Sequence, residues 1–404
     1  MAYHLLVTAA HRTRRPARAA GAVGVAGALL LGSCAAPQQP AGTTTPSPST
    51  SPTPSPTPSP TPTPAAAPAQ LLLATQAERD TLAVVDPAVR QGSAVVDEIT
   101  VGAAPWGVAV DEDARRAYVS TAEGVAVVDL DTRERTDLFA YEHPAVRIAS
   151  GEYRPGGLGL AVSPDGERVH VAVSTGDAAF LETLDAGTGE VVSAVPVGLR
   201  PFDVLVSDDG DEVYSVDHDG FTVTVVDPER GRARAIEVAP FGREGGLASF
   251  EKPHYAVLDD GDLLLPYQGR VLARVDPGSG EVTTTDLTAD SHQHGVARAD
   301  DGTLVIAGNG PFGNAGSGPS IEVVGPDGAD AVLPTDRRHE TVAVWHGPDG
   351  EAYGVLAGGY TQQEAWDGAT VVPLAAALDG VDESYEITVP GRPQAVVPFE
   401  EEAR

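Results

Sequence analysis

The chain has a single cysteine, a single methionine, three tryptophans and only 5% aromatic residues in all. One thiol cannot form an internal disulfide, so any folded domain must stand on its packed core alone. The same scarcity excludes thiolate metal clusters, and no haem-attachment motif is present, which makes redox work a poor fit. Basic residues are also few: 26 Lys and Arg stand against 58 Asp and Glu, a formal net charge of −32. Nucleic acid is excluded as a partner, because the clustered basic surface that neutralises phosphates is missing. The acidity keeps the chain soluble and is also able to attract cations. The most apolar run, Ala19 to Leu31, is too short to cross a bilayer as a helix.

What the N-terminus does have is the layout of an export signal. Residues 1–33 carry no acid and place Arg12, Arg14, Arg15 and Arg18 ahead of that apolar run. The run closes on Leu31-Gly32-Ser33-Cys34, which resembles the bacterial lipobox, and Cys34 is the only cysteine in the chain. The resemblance implies cleavage before Cys34 and its acylation, giving an extracytoplasmic protein held to the outer face of the cell membrane by lipid. Residues 34–69 are almost wholly Pro, Thr, Ser and Ala, including SPTPSPTPSPTPTP. Such a segment has nothing to bury and reads as a polyproline-type stalk, which at roughly 3.1 Å per residue reaches up to about 100 Å.

From Gln70 to Arg404 the composition does not change again and no second linker appears, so one large modular domain is expected over residues 70–404. Self-comparison shows a recurring apolar strand closed by an acidic turn: Val84-Val85-Asp86-Pro87, Val127-Val128-Asp129, Leu184-Asp185, Val225-Val226-Asp227-Pro228, Val275-Asp276-Pro277 and Val323-Val324-Gly325-Pro326. The turn positions lie 43, 56, 42, 49 and 49 residues apart, the length of a four-stranded propeller blade. The aspartates themselves are expected to cap turns through their own backbone. Each unit carries a second strand ending in Asp-Gly or a similar turn, such as PWGVAVDED from Pro105, PFDVLVSDDG from Pro201 and HGVARADDG from His294, which signals antiparallel hairpins and not helices.

A seventh copy of that second strand, Pro393-Gln394-Ala395-Val396-Val397, stands alone near the C-terminus. Its partners are at the other end, where Leu71 to Leu73, Thr81 to Val85 and Val95 to Val101 supply three strands without an inner one. Six complete units and one split unit predict an all-β fold, a seven-bladed β-propeller of four-stranded antiparallel blades closed by the C-terminal strand. These elements resemble the YVTN-type repeats of surface and periplasmic propellers. That architecture hosts many functions, so function must be argued from the site.

In such a ring the residues just before each inner strand converge at one mouth of the central channel. Four histidines fall there, His254, His292, His294 and His339, on three consecutive units, with Asp203 in a comparable position one unit earlier and Glu340 beside His339. Neutral imidazoles on adjacent strands suit Zn²⁺, with a carboxylate or water completing the set. The expected ligands are His254, His294 and His339, with Asp203, Glu340 or water as the fourth and His292 close enough to substitute. Because protons compete for imidazole nitrogens, affinity is expected to fall below about pH 6.5. The same residues would also serve as polar channel lining bridged by water.

The order Lys252-Pro253-His254, Gly280-Glu281-Val282, His294-Gly295-Val296-Ala297 and His339-Glu340 is similar to that of bacterial zinc-chaperone propellers of the AztD type, which serve zinc ABC importers. The resemblance implies a monomeric, non-enzymatic zinc-binding protein that delivers metal to a solute-binding protein, with His254, His294 and His339 as ligands. Members of that family carry a mobile His-rich segment and a cysteine pair; here Phe241 to Phe250 has no His, and the folded part has no Cys. Zinc binding survives those losses better than transfer does. Two other classes remain: a propeller that recognises a protein or glycan, and a metal-dependent lactonase-like hydrolase using Glu340 as base. The Gly-rich GNGPFGNAGSGP from Gly308 joins two strands and has no helix to offer a phosphate.

Overall fold

The computed structural model describes residues 69–149, 151, 153–238, 252–267, 271–312, 315–359 and 365–401. The export signal, Cys34, the Pro-rich stalk up to residue 68 and the 241–250 segment lie outside the described residues.

Among the described residues, twenty-eight strands form seven four-stranded antiparallel sheets, and the helical content is one short helix, Leu374–Leu378. The first blade is split: β1 (Ala69–Gln76), β2 (Thr81–Val85) and β3 (Val95–Thr100) are completed on the inner side by β28 (Pro393–Glu401). The other six blades run in chain order. They start at β4 (Val108–Asp111), β8 (Gly156–Val162), β12 (Pro201–Val206), β16 (Val257–Asp259), β20 (Gln293–Arg298) and β24 (Val342–His346). The seven-bladed propeller expected from the repeat is therefore the fold, with the split blade where the unpaired copy placed it.

The burial pattern explains why each unit reads as it does. Second and third strands are nearly continuous apolar runs because both faces are covered: β13 (Val213–Asp217) is buried throughout, and β14 (Thr222–Asp227) at all but its last residue. Fourth strands face water and are correspondingly charged, as in Arg232–Glu237, where Ile236 is the one buried residue. The core is a series of layers between blades. Leu72, Val85, Trp345 and Val355 join the first blade to the last; Leu73, Val84, Val119 and Phe399 join it to the second. The acidic turns cap themselves as anticipated: Asp227 Oδ1 accepts from Arg230 N at 2.9 Å and Asp129 Oδ1 from Thr132 N at 2.7 Å.

Closure is a full strand pairing. β28 runs antiparallel to β1 from Ala69↔Glu401 to Gln76↔Pro393. Ala395 N donates to Thr75 Oγ1 of its own blade at 3.0 Å and Thr341 Oγ1 to Gln394 O at 2.7 Å, tying the late strand both to β1 and to the last blade.

Candidate metal centre

The inner strands are short and lie close together around a cavity of about 190 Å³, which all seven blades line, among them Trp106, Phe202, Asp203, Tyr255, Val296 and Thr341. Glycine permits this approach. A Cβ on Gly159 would lie 2.5 Å from Asp203 Cα, and one on Gly295 would lie 2.7 Å from Glu340 O and 2.9 Å from Thr341 Cα. Gly295 follows His294 within an irregular stretch of β20, where the pairing with the next strand shifts between Gln293 and Val296. The missing side chain thus lets the backbone carrying Glu340 come up against the strand carrying His294.

Three side chains meet at this point. One ligand atom each from His254, His294 and Glu340 lies within 4.8 Å of the others, and all three residues are buried. The His254 and His294 rings stack with centroids 3.9 Å apart, and His294 Nδ1 lies 3.5 Å from Glu340 Oε1. His292 is adjacent, with its ring 5.0 Å from His294 and 6.4 Å from His254. Buried polar atoms normally find a partner, yet His292 Nδ1, His294 Nδ1 and Glu340 Oε2 make no hydrogen bond.

Burial sets the charge of every group. It drives the His294 ring down to about 3 and the His254 and His292 rings well below the ordinary imidazole value, with neighbouring imidazoles adding to the effect on His254 and His292, so all three are neutral at physiological pH. It also pushes the Glu340 carboxyl up to about 8, against hydrogen bonds from Tyr255 and Gln394 that favour the carboxylate. Neutral imidazole nitrogens beside an under-bonded carboxyl are a donor set that fits Zn²⁺.

Two expected ligands are placed differently. His339 is fully buried, but its Nε2 is 2.8 Å from Thr370 Oγ1 and its ring sits edge-on to Trp366 at 5.9 Å. It is not in the group; its chain neighbour Glu340 is. Asp203 lines the central cavity, where its two oxygens accept from Ala256 N and Val204 N, both at 3.0 Å, and burial raises it to about 7. It too stands apart from the His254–His294–Glu340 group. One residue escaped the sequence reading: the His218 ring, in the turn between β13 and β14, lies edge-on to His254 at 4.3 Å. The signal for it was its position. Strand order returns that turn to the end of the blade where the inner strands begin.

No protein-family model and no curated protein matches the chain. Among solved structures it is similar to a chain of the hydrazine synthase of Kuenenia stuttgartiensis, at 18% identity and a TM-score of 0.56. The match covers 76% of this chain and 92% of that one. Likeness at that identity is one of fold.

Proposed function

We propose that this protein is an extracytoplasmic, lipid-anchored propeller that binds zinc and passes it, as an AztD-type chaperone, to the solute-binding protein of a zinc ABC importer. The observation that carries the reading is the buried group of His254, His294 and Glu340, with polar atoms of His294 and Glu340 left unpartnered at one point on the channel. His254 and His294 offer neutral nitrogen, and Glu340 offers an oxygen once its proton leaves. The rigid blades hold these donors before metal arrives, so binding need not order a loop. Because Glu340 belongs to the donor group, it is poorly placed to act as the general base that a hydrolase would need. The test is metal analysis of the purified mature protein, incubated with zinc near pH 8 and freed of excess. About one tightly held zinc per chain is expected from a single closed donor group. A chain that retains none ends the metal reading and leaves a recognition propeller.

A further inference from the structure

The proton position of the His218 ring is fixed by a carboxylate. Its backbone N–H donates to Arg200 O at 3.0 Å, which seats the turn, and its Nδ1 lies 3.0 Å from Asp219 Oδ1. Asp219 is itself held by two cations: Lys252 Nζ donates to Oδ1 at 2.7 Å, and Arg200 Nε donates to Oδ2. A carboxylate clamped between an ammonium and a guanidinium stays ionised and can only accept. Nδ1 of His218 must then carry the proton, and Nε2 keeps its lone pair. His218 is only 3% exposed, and its ring abuts His254, which stacks on His294. A buried neutral histidine whose far nitrogen is pinned to an anchored carboxylate is how proteins prepare an imidazole to hold a metal, because the pinned proton fixes both tautomer and ring orientation.

We infer that His218, whose nitrogens lie outside the His254–His294–Glu340 group before metal arrives, joins it as a further zinc ligand from its place against the His254 ring, and that Asp219 is the positioning residue that presents it. This rests on the zinc reading above and adds a fourth blade to the site. It also gives Lys252 a role: its ammonium bonds Asp219 and keeps the carboxylate ionised and aimed at His218.

The test uses the full mature protein and two probes, Zn²⁺ for affinity and Co²⁺ for its visible absorption, which reports the ligand set. Wild type, His218→Ala and Asp219→Asn are compared at pH 8, with circular dichroism and melting to confirm folding. Asp219→Asn should weaken zinc by about 10- to 100-fold, and His218→Ala by more. In His218→Ala the Co²⁺ band should also change, because one imidazole has left the ligand set; a merely structural residue would leave that band unmoved. If His218→Ala binds zinc within about twofold of wild type with an unchanged Co²⁺ spectrum, the inference is overturned while the zinc reading stands. If wild type takes up neither metal, the zinc reading falls and takes this inference with it. Should His218→Ala fail to fold, Asp219→Asn decides alone: unchanged affinity and spectrum overturn the proposal, and a loss in that range supports it.

Discussion

Removing the C-terminal strand should damage this protein far more than its length suggests. Strand β28 supplies the inner strand of the first blade, so truncation from Gly391 strips β1 of its partner along Ala69 to Gln76. It also removes Phe399, 1% exposed against Leu73, Val84 and Val119, together with the bond between Arg115 and Glu400 O and the Arg133–Glu401 ion pair. Phe399→Ala alone should cost about 3–5 kcal/mol through lost burial and the cavity left behind. At roughly 2 °C per kcal/mol for a domain of this size, that is a fall in Tm of about 5–10 °C. The truncation loses this and the strand pairing, and it bares apolar surface on both neighbouring blades. It should melt more than about 10 °C lower or without a cooperative transition. The assay is thermal unfolding followed by circular dichroism, with wild type, Phe399→Ala and the truncation side by side. A truncated protein that melts within about 3 °C of wild type would show that the blade does not depend on its late strand, and the closure argument would be wrong.

Three further outcomes follow from the site and the chain's ends. Because burial places the competing proton on Glu340, near pH 8, and not on the imidazoles, zinc affinity should rise about tenfold per pH unit from pH 6 to 8 and then level off. Glu340→Gln should bind more weakly and lose that slope, and a wild-type titration flat over the same range would refute the assignment. Gly295→Ala would force a Cβ against the backbone of Glu340 and Thr341, so we expect about 1–3 kcal/mol of destabilisation together with weaker zinc binding, read by melting and zinc titration. Cys34→Ala should release the protein from the membrane fraction into the medium, and retention by the membrane would dismiss the lipid anchor.

The fold was legible because its signals are local and repeated. Gly210 and Gly302 take positive φ in the Asp-Gly turns that mark the end of an inner strand, and the alternation between those turns has the strand period. Ring closure was legible from arithmetic alone, since an inner strand without partners had to meet partners without an inner strand. The site was legible only in part. His339 and Glu340 lie in the bend just before β24, outside the alternation of a strand, so no sequence pattern says which of them faces the cluster. His292 and His294, two apart, share a side and both reach the cluster. His218 was missed because it precedes no inner strand. It enters through a turn whose place at the mouth depends on counting strand reversals, and its Asp219, Lys252 and Arg200 partners come together only in the folded blade.

The split first blade also dictates an order of events during synthesis. Thr75 and Ala395, which share a hydrogen bond, are 320 positions apart in the chain. The six later blades can each form from one contiguous stretch as it emerges, whereas β1, β2 and β3 must wait, with one edge of their sheet open, until every other strand of the ring has been made. Such a long wait favours slow, non-local assembly and gives chaperones and proteases time to act on the open edge. The strand that locks the ring is thus the last of the propeller to be made, and a chain released just short of it has none of its closure.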